Sequence, residues 1–263
     1  MDLELDGTSA LVTASSSGLG KASATALARE GANVVVNGRD EQRLAAAVDE
    51  VDAAGDGHVV GVQGDLTEKA DIEHLVERTV EEFGGIDSLV TSAGGPPSGS
   101  FMDTTDEDWY QAYDLLVMSA VRTVRAAAPH LKESDQGTMT FVTSRSVKEA
   151  IDSLVLSNAV RMAVIGLEKT LSKELAPEVR ANSVLPGPHE TSRIEDLVNQ
   201  AVERGDYEDY EEGLADWGVG NPMKRIGDPM ELGDTVAFLS SPKSSYINGV
   251  ALPIEGGQGA SNL

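Results

Sequence analysis

Ser9-Ala10-Leu11-Val12-Thr13 runs straight into Ala14-Ser15-Ser16-Ser17-Gly18-Leu19-Gly20, and Lys21 to Glu30 follows. An apolar run, a turn of small residues and a stretch of helix formers predict strand, tight turn and helix in that order. The rhythm then repeats. Ala32 to Val36 is a β-branched run, and Glu41 to Ala54 has helical spacing through Leu44, Ala47, Val48 and Val51. His58 to Val62 reads as a third strand, and Ile72, Leu75, Val76, Val80 and Phe83 stripe the next helix. Ile86 to Val90, Thr138 to Val142 and Val179 to Leu185 read as further strands, with helices expected over Asp106–Leu131 and Ser153–Leu175 between them. Short strands alternating with helices imply parallel pairing through right-handed crossovers. The expected fold is therefore α/β, a doubly wound parallel sheet flanked by helices.

No linker or internal repeat breaks the chain, so residues 1–263 are expected to form a single domain. Thr191 to Gly220 departs from the rhythm. It is acidic, helical in propensity, and holds Tyr207, Tyr210 and Trp217 in a polar background. An insertion this late in an α/β chain is well placed to cover a ligand crevice, so residues 191–220 are expected to form a small helical substrate lid. A solvated pair of surface helices is the plainer alternative.

Composition narrows the classes of function. The 263 residues hold 44 acidic side chains against 20 basic ones, a formal charge of −24, with 40% hydrophobic residues to build a core. A polyanionic surface repels nucleic acid, so no nucleic-acid partner is expected. No apolar run approaches a membrane span, and Met1-Asp2-Leu3-Glu4 lacks a basic leader, so a cytoplasmic protein without a membrane partner is expected. With no cysteine there is no disulfide, thiolate ligand or cysteine nucleophile. The four histidines lie far apart, so no metal is expected. Ser144 lacks a GxSxG elbow, which argues against a hydrolase. The acids are dispersed and lysine is scarce, eight against twelve arginines, the composition of a halophilic cytoplasm.

The first turn has the context of a phosphate loop. Small residues let backbone N–H groups approach a pyrophosphate, and the following helix N-terminus attracts it. Thr13-Ala14-Ser15-Ser16-Ser17-Gly18-Leu19-Gly20 resembles the TGxxxGxG signature of the short-chain dehydrogenase/reductase family, with Ala14 in place of the first glycine. The likeness continues through Gly64-Asp65-Leu66, Ala93-Gly94, Asn182 to Gly187 with Thr191, and Asn221 to Gly227, and on through Leu239-Ser240-Ser241, Asn248-Gly249 and Glu255-Gly256-Gly257. It implies a Rossmann-type sheet and a nicotinamide dinucleotide. The positions it assigns to the cofactor are Thr13, Ser15, Ser16, Ser17, Gly18, Leu19, Gly20, Asp65, Leu66, Ala93, Gly94, Arg161, Pro186, Gly187 and Thr191.

The end of the second strand bears on which dinucleotide. An NAD enzyme usually places a carboxylate there, whereas this chain has Gly38 followed by Arg39. Glycine makes room and a guanidinium pairs bidentately with a 2′-phosphate, so NADP(H) is expected over NAD(H). Asp40 pulls the other way unless it caps the next helix.

The resemblance also locates the reaction site, and there the chain departs from the family. Ser144 matches the family's substrate-binding serine. Thirteen residues on, where the family has tyrosine, stands Ser157, and four further, in place of lysine, stands Arg161. Leu116 falls where an asparagine is usual. The expected catalytic set is Ser144, Ser157 and Arg161. Tyrosine begins near pKa ~10, and an aliphatic hydroxyl is a far weaker acid. The proton donor stays open between Ser157, a water relay and His189, the last balanced against a hinge role paired with Glu190. The resemblance is to 3-oxoacyl-acyl-carrier-protein reductases and glucose dehydrogenases. It implies an NADP(H)-dependent oxidoreductase of a small-molecule carbonyl or alcohol, assembled as a homodimer or homotetramer. A nucleotide-binding protein without redox turnover, serving as sensor or assembly subunit, is the alternative.

Overall fold

The computed structural model describes residues 1–261, apart from the side chains at positions 193, 196 and 197. The last two residues of the expected 1–263 domain, and those three side chains of the expected 191–220 lid, thus lie outside the described residues. The strands β1 (Ser9–Val12), β2 (Asn33–Gly38), β3 (Val59–Gln63), β4 (Ser88–Thr91), β5 (Gly137–Val142), β6 (Val179–Pro186) and β7 (Ala251–Ile254) make one sheet. Their order is β3-β2-β1-β4-β5-β6-β7, every neighbouring pair parallel. Chain order reverses beside β1, so a crevice opens at the carboxyl ends of β1 and β4, where such sheets bind ligands.

Neighbouring residues on each strand point to opposite faces, and both faces are buried. Leu11, Val35, Leu89 and Phe141 face one way, packing with α3 (Lys69–Phe83), α5 (Ser119–Glu133) and α6 (Val155–Glu174). Ala10, Val12, Val34, Val36, Val90 and Val184 face the other, under α1 (Gly18–Arg29), α2 (Glu41–Asp52) and α9 (Pro229–Ser240). Each fully buried Val, Leu or Phe contributes about 1.5–3 kcal/mol, so these two layers hold the crevice open and rigid.

The expected long helix is not uniform. It comprises α4 (Asp106–Tyr113), a π-helical turn over Asp114–Met118, and α5. Arg122 braces that wide turn, pairing with Asp114 at 2.9 Å and donating to the Thr67 carbonyl at 2.9 Å. Helical spacing alone does not reveal the π turn, because the buried Ala112, Leu116, Ala120 and Val124 recur every four residues through it, a spacing an α-helix also shows. Periodicity also missed α9 and β7, the last helix and the edge strand. Asp40 does cap α2, accepting from the Arg43 amide at 2.8 Å.

The 191–220 segment contains α7 (Ser192–Glu203) and α8 (Tyr210–Gly218). Its tyrosines are tied down: Tyr207 donates to Asp216 and Tyr210 to Glu190, each at 2.8 Å. Among the described residues no helix is long and apolar enough to cross a membrane.

Candidate functional site

The turn after β1 is built around a conflict between Ala14 and its backbone. Ala14 lies at φ +45°, the left-handed region where a Cβ costs about 1–2 kcal/mol. It is held there by the buried Asn37, whose Oδ1 accepts from the Ala14 amide at 3.0 Å. Asn37 Nδ2 in turn donates to the Val62 and Gly64 carbonyls, both at 3.2 Å, so one side chain stitches β1, β2 and β3 together at the crevice. Gly20 fits under this turn for a steric reason. A Cβ there would lie 2.4 Å from the Ala14 carbonyl oxygen.

The cleft that results has a volume of about 800 Å³. Ser16, Ser17, Gly18, Leu19 and Gly20 line one wall, with Thr191 beside Gly18; Asp65, Leu66, Ala93 and Gly94 line another, and Arg161 lines a third part. These positions were expected from the sequence. Thr13 and Ser15 were expected beside them but lie outside the cleft lining. Thr13 Oγ1 donates to the Ser92 carbonyl at 2.7 Å, and Ser15 Oγ donates to the Val12 carbonyl at 2.6 Å, so both hydroxyls shape the turn from beneath. Pro186 ends β6 and Gly187 follows it, both absent from the cleft lining, with the Gly187 amide donating to the Ile254 carbonyl at 2.9 Å.

At the β2 end, Gly38, Arg39, Asp40 and Arg43 all line the cleft. Gly38 is more constrained than the sequence suggested, since a Cβ would come within 2.6 Å of both Ser16 Cβ and Oγ. Arg39 is largely exposed and stands 3.6 Å from Asp65. The Asp65 carboxyl is held below the usual range. Burial opposes its ionisation, but hydrogen bonds from the Thr67 amide (2.9 Å) and hydroxyl (2.8 Å), with the Arg39 charge, outweigh it. Arg43 escaped the sequence reading. Its only signal was its place on the first turn of α2, on the side of Gly38.

At the opposite end Arg161 lines the cleft, whereas Ser144, just past β5, and Ser157, on the first turn of α6, were expected with it but stand outside the cleft lining. The Ser144 hydroxyl accepts from the Ser146 amide at 3.1 Å, which leaves its own proton free to be donated. Ser157 is buried and its oxygen lies 3.2 Å from Ser146 Oγ. Arg161 is 9% exposed, its Nε has no hydrogen-bond partner, and no ion pair reaches it among the described residues. Burial pushes its guanidinium down to about 10, still cationic at neutral pH.

His189 is placed elsewhere. It is 4% exposed, packs on Gly227, and its Nδ1 lies 2.9 Å from the Gly187 carbonyl. Burial holds its pKa below the ordinary value. The expected pairing with Glu190 is replaced by the Tyr210 contact, and burial together with that bond pushes the Tyr210 phenol up to about 12. Neither group stands in the cleft lining. No cluster of His, Asp or Glu suited to a metal occurs among the described residues.

Comparison with known proteins agrees with this architecture. Residues 13–258 match the family described as enoyl-(acyl carrier protein) reductase. The chain is 33% identical to "Uncharacterized oxidoreductase YvrD" of Bacillus subtilis (strain 168), covering 98% of each. It is 34% identical to human "Dehydrogenase/reductase SDR family member 4" over 94% of this chain and 86% of that one. L-sorbose reductase from Gluconobacter frateurii, solved with NADPH and L-sorbose, superposes with a TM-score of 0.94 at 29% identity, covering 99% of this chain and 100% of that one. A short-chain oxidoreductase from Pseudomonas aeruginosa PAO1, described as containing an atypical catalytic center, superposes with a TM-score of 0.91 at 28% identity over 97% and 98%. On sequence and on fold alike, the chain belongs to the short-chain dehydrogenase/reductase family of oxidoreductases.

Proposed function

We propose that the protein is an NADP(H)-preferring oxidoreductase of a carbonyl/alcohol pair, with a 3-oxoacyl, sugar or ketone substrate, whose active site departs from the usual family chemistry. One observation carries this proposal: a single cleft joins the Ser16–Gly20 turn, the paired cations Arg39 and Arg43, and the unpartnered Arg161. The fit to a dinucleotide is supported by the Arg161 guanidinium, which lines the cleft and lacks an acceptor. The bound dinucleotide would supply or take a hydride at the substrate carbon. Arg39 and Arg43 hold the 2′-phosphate, and Arg161 donates to ribose hydroxyls and favours negative charge on the substrate oxygen. Ser144 donates its free proton to that oxygen as a hydrogen bond. A proton taken from solvent reaches the substrate oxygen through the Ser157–Ser146 hydroxyl pair, or a water beside it, as the carbon gains the hydride.

Sorbose reductase, with NADPH and a sugar in its structure, supports the cofactor and the sugar or ketone class. The Pseudomonas neighbour supports an oxidoreductase with unusual catalytic residues. A second proposal, nucleotide binding without turnover, is favoured by the lining itself, in which the described residues include no phenol and no imidazole. We further propose that residues 191–220 act as the lid, and that the acidic surface is a halophilic adaptation of a cytoplasmic protein. The apolar groove between α5 and α6, lined by Val121, Val124, Ala128, Leu167 and Leu171, supports a homodimer or homotetramer.

The deciding experiment titrates NADPH and NADH by fluorescence in concentrated salt, then screens ketones, sugars and 3-oxoacyl thioesters for turnover. Tighter NADPH binding with slow reduction is expected. Binding of neither nucleotide sinks both proposals. Binding with no turnover in the native protein leaves only the second.

A further inference from the structure

The buried guanidinium of Arg161 faces inward as well as toward the cleft. A cavity of about 20 Å³ adjoins the cleft there, and Leu66, Ser92, Ala93, Val142, Thr143 and Arg161 line both. Its remaining wall comes from the π turn, α5 and the strand ends, through Leu116, Ser119, Thr123, Thr13 and Thr91. No carboxylate lines it.

Its polar groups divide into engaged and free. Thr13, Ser119, Thr123 and Thr143 each donate their hydroxyl proton to a backbone carbonyl. Thr91 and Ser92 have no side-chain hydrogen bond among the described residues, and neither has any nitrogen of Arg161. Residues with unused hydroxyl donors therefore line the cavity together with an uncompensated positive charge. An isolated buried cation is unfavourable unless a counter-charge reaches it, and neighbouring side chains supply none. The volume admits one water-sized particle and excludes polyatomic oxyanions.

We infer that this cavity binds one monatomic anion, a halide such as chloride, held by the Arg161 guanidinium and the Thr91 and Ser92 hydroxyls. In the nucleotide-free protein the ion supplies Arg161 with a counter-charge and fixes the guanidinium at the end of the cleft. With four terminal N–H donors, the guanidinium can hold an ion on its inner side and still donate outward. The net charge of −24 repels anions from the surface, so a specific anion effect points to this interior cation rather than to scattered surface sites.

The test uses nucleotide-free protein, so its outcome is independent of the NADP(H) proposal. Thermal melting is followed while sodium chloride replaces sodium gluconate at constant ionic strength, because gluconate is too large for the cavity. A saturable rise in Tm of about 3–6 °C is expected at ten times the Kd, and it is expected to vanish in Arg161→Met. Thr91→Val, which keeps the guanidinium, is expected to move the midpoint to severalfold higher chloride. Crystals of the native protein soaked in bromide are expected to show one anomalous peak in contact with Arg161 and the Thr91 and Ser92 hydroxyls. Should Arg161→Met fail to fold, the bromide position and the Thr91→Val midpoint decide. Equal rises in native and Arg161→Met protein, a cavity without the bromide peak, or a peak without any solution effect would each overturn the inference.

Discussion

The two ends of the cleft are built to different standards. At the phosphate end almost every polar group has a partner: Asn37 serves three backbone groups, Asp40 caps α2, and Asp65 is gripped by Thr67 and faces Arg39. At the reaction end Arg161 has none, and the Ser157 oxygen faces only another serine. Contacts are preorganised at one end and donors are uncommitted at the other. In the proposed function the first end binds the dinucleotide and the second carries an altered proton transfer.

The largest effect should come from restoring the missing acid. In Ser157→Tyr with Arg161→Lys, kcat for a reduced ketone is expected to rise by about 10²–10⁴, the usual worth of general acid assistance. Steady-state assays at saturating NADPH measure it, and an unchanged kcat would break the contrast by showing that proton transfer is already well served. The phosphate end is probed next. Arg39→Ala with Arg43→Ala should lower the preference for NADPH over NADH by about 10²-fold, since each charge-assisted contact is worth about 1.5–3 kcal/mol before solvent screening. Parallel titrations with both nucleotides check it, and equal losses for the two would remove these arginines from 2′-phosphate recognition.

A smaller effect extends the contrast down α6. Glu168 lies two turns below Arg161 on the same side of the helix, is 1% exposed, and has an Oε1 without a partner. Burial raises its carboxyl from 4.5 to about 7, against the opposing pull of Lys169. The folded protein therefore keeps this proton at pH values where the unfolded chain has released it. The associated stability is complete below pH 4.5 and is lost as pH rises through about 7. Glu168→Gln should remove that decline, so that above pH 8 it is more stable than the native protein by about 1–2 kcal/mol. Urea unfolding at several pH values reads it, and parallel pH profiles for the two proteins would count against it. The smallest change is Ala14→Gly. Relieving the left-handed alanine should raise stability by about 0.5–1 kcal/mol, net of the extra freedom glycine gives the unfolded chain. A lower Tm in this variant would mean that the alanine is not strained.

Much of the fold was legible because parallel strands buried on both faces are dense in β-branched residues. Ala32 to Val36, with three consecutive valines, could hardly be anything else. The last helix and strand were not, since β7 is an edge strand whose Ala251-Leu252-Pro253-Ile254 is only half buried and shows no alternation. The phosphate turn was legible by composition, but the division of labour within it was not. Ser15 and Ser16 are indistinguishable in sequence, yet one hydroxyl points into the protein and the other lines the cleft. Asn37, which holds the turn from β2, carries no motif in the sequence. His189 drew attention by its titration range and its place in a loop, and the fold buried it against Gly227 instead.

The contact between Gly38 and Ser16 bears on how this protein could change cofactor. A carboxylate at position 38, the usual route to NAD recognition, cannot be added alone, because its Cβ would meet Ser16 at 2.6 Å. Ser16 has to become glycine first, and that step by itself brings no new affinity. A switch of nucleotide thus lies across a neutral or unfavourable intermediate, so stepwise selection would find it slowly, while a designer who makes both substitutions together crosses in one move.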